Sequence, residues 1–200
     1  MKGIYIFLAD GFEDMEALGT LDVLRRGGLE VSTVAVQTGK PADYIYGDRF
    51  VTSSRGVPVV ADLTFDEFEA MASPEGTGPQ DVMVFPGGMP GTRNLAATEV
   101  LMDIMKVHFM HGGTVAAICA APGLVASQLP GLEGRKFTCF DGFEDAMIAR
   151  GAIFVKAPAV SDGNLVTGRG AGCAIDFACE ILRSLKGGKT VAEVRHGLML

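Results

Sequence analysis

The amino-acid sequence predicts a doubly wound α/β sandwich with a mostly parallel sheet, on three observations. Short apolar runs alternate with helical segments, as in βαβ units. Two of the runs, IYIFLA at 4–9 and TVAAIC at 114–119, are almost wholly apolar, which is typical of central parallel strands that helices cover on both faces. Paired glycines at 27–28 and 112–113 end two of the helical segments directly before the next apolar run.

The first half of the chain contains one clear βαβ unit and then a less regular stretch. The strand IYIFLA precedes a helix at 13–28 (EDMEALGTLDVLRRGG), and LEVSTVAV at 29–36 supplies the second strand. Residues 37–60 are interpreted as a polar excursion followed by short alternating strands. The segment MASPEGTGPQ at 71–80 is rich in turn residues and is predicted to be a loop.

The second half repeats the alternation of strand and helix. A strand at 81–88 (DVMVFPGG) is followed by a helix from about Glu99 to His111 and by the strand TVAAIC. Beyond Cys119 we expect a short helix and then these elements: KFTCF at 136–140, AIFV at 152–155, a turn at SDGN, the strand LVTG at 165–168 and a final helix from about Cys173 to Leu185. A chain of 200 residues arranged in this way fits a single domain over 1–200.

Composition and charge exclude several classes of protein. Apolar residues make up 48% of the chain and charged residues 20%, a balance typical of a globular protein. The net charge of −7 leaves no basic stripe for phosphates, so neither nucleic acid as a primary ligand nor an anionic membrane is expected. No apolar run approaches the roughly 20 residues that span a bilayer, and carboxylates directly after the first strand argue against a signal peptide. A small ligand fits this composition better.

The cysteines and histidines show no pattern of a metal site. Four cysteines occur with neither a C-x-x-C motif nor paired metal spacing, and we interpret them as reduced thiols of a cytoplasmic protein: Cys119, Cys139, Cys173 and Cys179. His108 and His111 lie three apart on one helix without a further ligand at metal spacing, so a solvated role near the helix C-terminus is preferred. The sequence therefore predicts no metal and no other cofactor.

Cys119 is the candidate nucleophile. In doubly wound sheets the ligand crevice lies outside the carboxyl ends of the strands, and Cys119 ends an apolar strand directly before a helix whose first turn takes Pro122. A thiol at a helix N-terminus is expected to have a lowered pKa, and the small neighbours Ala117 and Ala121 suit a sharp bend. The alternative is a cysteine that simply fills space in the core. The residues leave both interpretations open.

Two further features have an ordinary interpretation and a functional one. The glycines of PGG at 86–88 end a strand, and they form either a plain turn or a set of N–H donors for an oxyanion or an oxidised sulfur. Glu13, Asp14 and Glu16 crowd the first turn of the first helix, where acids ordinarily complement the helix dipole. A protonated carboxyl placed beside a thiolate would instead donate a hydrogen bond to it. Spacing alone does not bring Glu16 to Cys119.

Taken together, four motifs in this order resemble the ThiJ/PfpI superfamily, in its branch of deglycases and bacterial ThiJ-like homologues: FLADGFEDMEALGTLDVLRRGG, VMVFPGGMPG, TVAAICAAPG and LVTGRGAGCAIDFA. The resemblance covers about residues 3–192. It implies a flavodoxin-like sandwich of the class I glutamine amidotransferase type, a homodimer, and a reactive cysteine that falls on Cys119, with a carboxylic acid partner that falls on Glu16.

The resemblance also assigns the remaining site residues. The family's backbone donors fall on Gly88 and on Ala120, with Gly87 beside them in the PGG motif. An arginine that approaches the site from the other subunit corresponds to Arg55 in SSRGVPV.

The chain departs from its relatives at two positions near the thiol. Peptidase and amidase members place a histidine directly after the cysteine, whereas this chain has Ala120, so peptidase activity is not expected. In the deglycase branch a histidine often approaches the thiol from the segment that here reads KFTCFDG, where the matching position is Phe140. Any mechanism then depends on Glu16 as the proton carrier near the thiol.

Two functional hypotheses follow. In the first, the protein is a cofactor-independent stress-response enzyme of glyoxalase or deglycase type, in which the Cys119 thiolate attacks methylglyoxal or an early adduct that methylglyoxal forms on other molecules. In the second, the protein is a redox sensor or chaperone without turnover, in which Cys119 is oxidised to a sulfinate that the same donors bind.

Overall fold

The computed structural model describes residues 1–36 and 47–200, and the predicted polar excursion at 37–46 lies outside the described residues. The helices within this part of the chain are α1 (Asp14–Arg26), α2 (Phe65–Met71), α3 (Gly91–Ala97), α4 (Glu99–Met110), α5 (Ala121–Leu124), α6 (Asp145–Ile148) and α7 (Ala174–Gly197). The strands are β1 (Ile4–Leu8), β2 (Val31–Ala35), β3 (Phe50–Thr52), β4 (Pro58–Val60), β5 (Leu63–Thr64), β6 (Val82–Phe85), β7 (Thr114–Ile118), β8 (Lys136–Phe137), β9 (Ile153–Phe154), β10 (Ala159–Asp162) and β11 (Leu165–Gly168).

Seven of these strands form one central sheet in the order β10-β11-β7-β6-β1-β2-β5. All neighbouring pairs are parallel except β10 with β11, which forms an antiparallel edge. The predicted mostly parallel, doubly wound sheet is therefore confirmed. Two small two-stranded sheets accompany it, the antiparallel hairpin β3–β4 and the parallel pair β8–β9.

Two apolar layers hold the sheet between helices. On one face Phe7 stacks on Phe85 with ring centroids 5.2 Å apart, and α4 contributes buried side chains to the same cluster. On the other face Ile118 and Phe177 belong to a second cluster, formed with α1 and α7. Because successive side chains of a strand point to opposite faces, a fully apolar strand such as β7 contributes to both layers.

The structure differs from the sequence prediction mainly in its short helices and in its last helix. The seven-residue helix α2 begins with a capping box between Thr64 and Glu67, and its length gives too few turns for a periodic signal. The final helix breaks at Gly187, whose backbone angles are non-helical, so the predicted end near Leu185 lies close to this break. A further helical stretch, which the sequence does not predict, continues beyond the break to Gly197 and buries Val191 and Val194.

The sheet register places three connecting loops at one edge. Parallel pairing sets Ile6 opposite Val84, and Phe85 opposite Ala117. The chain segments that follow β1, β6 and β7 therefore leave the sheet side by side, at the carboxyl ends of adjacent strands. This edge is where doubly wound sheets bind their ligands.

The hairpin β3–β4 is fixed to the loop between β1 and α1. The N–H of Gly11 donates to the carbonyl of Thr52 at 2.8 Å, and the N–H of Ser54 donates to the carbonyl of Phe12 at 2.7 Å. The Asp10 carboxylate accepts from the N–H of Thr52 at 2.8 Å. The hairpin therefore lies at the same edge as the three loops.

Within residues 1–36 and 47–200, no helix combines the length and the apolar character that crossing a membrane requires.

Thr167 offers a test of how β11 holds the segment after β8. Its buried Oγ1 accepts the N–H of Thr138 at 2.9 Å. Thr167→Val keeps the shape but leaves that N–H without its acceptor, so we expect the free energy of unfolding to fall by about 1–3 kcal/mol in denaturant titrations. Thr190→Val, which removes only a 3.3 Å bond on α7, should change it by less than about 0.5 kcal/mol. Equal effects of the two substitutions would contradict this role.

Candidate active site

Cys119 lies at the bend between β7 and α5, as the sequence predicts. Its backbone φ is +65°, an uncommon angle for a residue other than glycine. The surroundings fix this conformation, because the Cys119 N–H donates to the Gly168 carbonyl at 3.0 Å and the Cys119 carbonyl accepts from the Phe140 N–H at 2.9 Å. The side chain is partly exposed, and Pro122 lies in the first turn of α5. Cys119 is thus held in a strained conformation, with its thiol accessible from the loop edge of the sheet.

Glu16 is the buried acid of the site. It lies in the first turn of α1 and is only 1% exposed. Its Oε2 accepts the N–H of Gly87 at 2.7 Å, whereas its buried Oε1 has no hydrogen-bond partner of ordinary geometry among the described residues. An ionised carboxylate in such a place lacks donors, so burial raises the pKa of Glu16 to about 7.

The structure brings the Glu16 carboxyl and the Cys119 thiol together. A β-carbon placed on Gly87 would lie 2.7 Å from Glu16 Oε2 and 3.0 Å from Cys119 Sγ, so both groups converge on this glycine. The carboxyl and the thiol interact directly, and each affects the pKa of the other. Only the absence of a side chain at Gly87 leaves room for this arrangement.

The expected lowering of the Cys119 pKa is not what the structure supports. Burial raises the pKa of the Cys119 thiol to about 12, and the negative charge of ionised Glu16 adds to the effect. The N–H groups of Ala120 and Gly88 bond to the sulfur and act in the opposite direction. The four-residue helix α5 offers little dipole to offset the buried carboxylate.

The two groups behave as a pair that shares protons. Below a pH of about 7 both the carboxyl and the thiol are protonated, and above it the pair keeps one proton. That remaining proton lies on the Cys119 sulfur, because the pKa of the thiol is higher than that of the carboxyl. The carboxyl can therefore accept the thiol proton when the sulfur attacks an electrophile, and can return a proton afterwards.

The backbone N–H groups of Gly87, Gly88 and Ala120 have different hydrogen-bond partners. Those of Gly88 and Ala120 point to the Cys119 sulfur, whereas that of Gly87 binds Glu16. Gly88 has a φ of +91°, and a β-carbon there would lie 2.5 Å from the Gly11 carbonyl oxygen. The PGG turn is thus more than a chain reversal, since it contacts both the acid and the thiol.

Glu13 has the ordinary role that the sequence offers for first-turn acids. Its carboxylate accepts the N–H of Glu16 at 2.9 Å and so caps α1. The N–H of Glu13 donates in turn to the Gly87 carbonyl at 2.9 Å. These two bonds connect the start of α1 to the PGG turn and fix the direction from which Glu16 enters the site.

Arg55 and Phe140 lie at the surface around the site. Arg55 is exposed in the turn of the hairpin β3–β4, which is bonded to the loop before α1. Phe140 is 51% exposed, and its backbone N–H contacts the Cys119 carbonyl. The sequence gives no direct signal for this contact, since the two residues lie on segments that only the fold brings together.

The two helical histidines have different environments. His108 is 1% exposed and its Nε2 lies 3.0 Å from the Thr114 carbonyl, so the prediction of a solvated role is wrong for this residue. Burial lowers the pKa of His108 to about 4. His111 is exposed near the end of α4, as expected. In the part of the chain that the structure describes, no cluster of three or more histidine, cysteine or acidic residues could hold a metal ion.

Comparisons with known proteins agree with the motifs. The model of the DJ-1/PfpI family matches residues 2–184. The Parkinson disease protein 7 homolog of Danio rerio is 33% identical, with 100% of this chain and 97% of the relative covered. The glutathione-independent glyoxalase DJR-1.2 of Caenorhabditis elegans is 29% identical, with 88% and 83% covered. The protein DJ-1 homolog A of Arabidopsis thaliana is longer, and the chain spans 47% of it at 32% identity.

A solved structure shares the fold. The crystal structure of Drosophila melanogaster DJ-1beta superposes with a TM-score of 0.82 at 30% identity, and the match covers 100% of this chain and 98% of that one. Together with the family match across most of its length, this likeness shows that the chain belongs to the DJ-1/PfpI family.

Proposed function

We propose that this protein converts small 2-oxoaldehydes such as methylglyoxal, free or as early adducts on other molecules, into 2-hydroxy acids without a cofactor. The observation that carries the proposal is a buried carboxyl with a pKa of about 7 against a partly exposed thiol. The similar Caenorhabditis elegans protein is named a glutathione-independent glyoxalase, which supports this chemistry.

In the first step the Cys119 sulfur adds to the aldehyde carbon. A carbon–sulfur bond forms, the aldehyde oxygen takes a proton, and the product is a hemithioacetal. The Glu16 carboxylate accepts the thiol proton and passes it to that oxygen, since the two groups are in contact. The N–H groups of Gly88 and Ala120, which point to the sulfur, are placed to stabilise negative charge as it develops there and on the adjacent oxygen.

In the second step a proton moves between the two carbons of the substrate. Glu16 removes the hydrogen of the former aldehyde carbon as a proton and returns it to the former ketone carbon, while the hydroxyl proton of the hemithioacetal passes to the former ketone oxygen. The first carbon is thereby oxidised and the second reduced, which yields a thioester of a 2-hydroxy acid with no external oxidant. Water then cleaves the carbon–sulfur bond and releases the acid and the thiol. Arg55, contributed by the other subunit of a homodimer, is proposed to bind substrate oxygen at the site entrance.

The same pair also supports the second hypothesis, a redox sensor or chaperone. A protonated Glu16 would donate a hydrogen bond to a Cys119 sulfinate, and the N–H groups of Gly88 and Ala120 would donate hydrogen bonds that stabilise its negative charge. Two molecules of peroxide would be the oxidant: each would transfer one oxygen atom to the sulfur, first giving a sulfenic acid and then the sulfinate, and each would release its other oxygen as water. This function needs no carbonyl turnover.

Lactate formation from methylglyoxal tests the first hypothesis directly. At equal folded concentration, Cys119→Ser should abolish it, because the nucleophile is lost, and Glu16→Gln should lower kcat by about 10²- to 10⁴-fold, because the proton carrier is lost. Glu30→Gln makes the same chemical change at an exposed position and should leave kcat unchanged. If wild type and Cys119→Ser were equally inert while mild peroxide added two oxygens to Cys119 in mass spectra, the sensor hypothesis would replace this one.

The pH dependence of kcat/KM should show one rising limb. Below a pH of about 7 both groups hold protons and no base accepts the thiol proton, so activity should rise as the pH passes the pKa of Glu16. No falling limb is expected near neutrality, because the pKa of Cys119 is about 12. Initial rates in wild type between about pH 5 and about pH 9 measure this profile. Loss of activity on raising the pH through 7 would contradict the assignment of Glu16 as base.

Glu16→Gln should lower the pKa of the Cys119 thiol even though it lowers turnover. The neutral amide removes the negative charge that opposes thiolate formation, and leaves the effect of burial, which raises the pKa, and the N–H bonds of Ala120 and Gly88, which lower it. The ultraviolet absorbance of the thiolate, followed as the pH is raised, measures this pKa. The contribution of Cys119 is obtained by subtracting the same titration of a protein that also carries Cys119→Ser. A rise of the thiol pKa in Glu16→Gln would show that Glu16 is a hydrogen-bond donor to the thiolate and not its repelling neighbour.

A further inference from the structure

Phe140 has a large apolar side chain that is half exposed to solvent, and its backbone contacts Cys119, the proposed nucleophile. Its ring is 51% exposed, while its backbone N–H is bonded to the Cys119 carbonyl at 2.9 Å. Exposed phenylalanine at the edge of a sheet where ligands bind is unfavourable in the free protein, because apolar area stays in water. A ligand that covers the ring would remove that cost.

The ring is held in place from two sides. Its Cδ2 lies 3.3 Å from the position of a β-carbon on Gly170, and its centroid lies 6.4 Å from that of Phe143 in an edge-to-face pair. Gly170 follows Gly168, whose carbonyl binds the Cys119 N–H. Phe143 packs closely on Gly123 of α5, the helix that begins two residues after Cys119. Phe140 therefore lies near the ends of β7 and β11, with its backbone bonded to that of Cys119.

The charged residue that follows Phe140 in the chain is engaged in an ion pair. Asp141, its neighbour in the chain, forms an ion pair with Arg169 at 2.5 Å. This pairing leaves the Arg169 guanidinium engaged, so this side of the site presents an apolar ring and not a free cation. An anionic substituent on a substrate gains nothing here, whereas an aromatic one can pack on the ring.

We infer that Phe140 is a specificity-determining residue that makes the site prefer 2-oxoaldehydes with an aromatic substituent. The inference rests on the proposed function, which supplies the reaction. The selectivity is inferred from the position of Phe140. The substituent lies against the Phe140 ring while the aldehyde carbon reaches the Cys119 sulfur. Phenylglyoxal is the simplest substrate of this class, and methylglyoxal is its small counterpart.

Turnover of the two dicarbonyls measures the preference. In wild type, kcat/KM for phenylglyoxal should exceed that for methylglyoxal, and Phe140→Ala should lower the ratio of the two about tenfold. Phe140→Tyr keeps a ring and should keep the ratio. Ile153→Ala removes a 50% exposed apolar side chain from β9 and should leave the ratio unchanged. An equal loss for both substrates in Phe140→Ala would overturn the inference.

Alkylation of Cys119 separates this inference from the proposed function. Iodoacetanilide and iodoacetamide react alike, since the sulfur displaces iodide and the thiol proton passes to the buffer, but only the first carries a phenyl ring. The rate ratio at Cys119, read by peptide mass spectrometry, should favour iodoacetanilide about tenfold more in wild type than in Phe140→Ala. If no dicarbonyl is converted but this difference is found, the proposed reaction fails and the aromatic selectivity of Phe140 stands. If the ratio is the same in both proteins, the selectivity fails whatever the turnover.

Discussion

The burial of the Glu16 carboxyl against Gly87 and Cys119 is the constraint on which the site depends. A carboxyl removed from water must either stay neutral or find donors for both oxygens. Here a single N–H, that of Gly87, serves Oε2, and the pKa rises to about 7 instead of to a value at which the group would never ionise. The arrangement leaves it able to gain and lose a proton near neutrality.

The backbone of Cys119 is strained, and the central sheet holds it in that conformation. Cys119 has a φ of +65°, a conformation that costs of the order of 1–3 kcal/mol for a side chain of this kind. β7 before it is buried throughout and paired on both sides, by β6 and β11, so the bend begins from a fixed point. Gly87 and Gly88 supply the space on the opposite side. The thiol position is thus set by rigid elements, which suits a group that must meet a proton carrier within hydrogen-bonding reach.

The sequence predicts the arrangement of strands and helices better than it predicts the candidate site. Apolar alternation gives the parallel sheet, and the run that ends at Cys119 gives the bend. The proximity of Glu16 to Cys119 has no signal in spacing, and only the resemblance to ThiJ/PfpI proteins suggests it. The direction of the Cys119 pKa was mispredicted because a helix N-terminus is visible in the sequence, whereas burial and a facing carboxylate are not. The helical stretch beyond the break at Gly187 was not predicted, because Val191 and Val194 are buried by packing that the sequence does not show.

The proton content of the pair decides between the two proposed chemistries. Addition to a carbonyl needs Glu16 to take a proton and return it, which requires a pKa close to the working pH. Stabilising a sulfinate needs only that Glu16 keep its proton, which a further rise of its pKa would favour. Burial has raised the Glu16 pKa to about 7 and no higher, because the Gly87 N–H opposes the rise. The Gly87 N–H therefore keeps the pKa of Glu16 within the range that the proposed proton transfer requires.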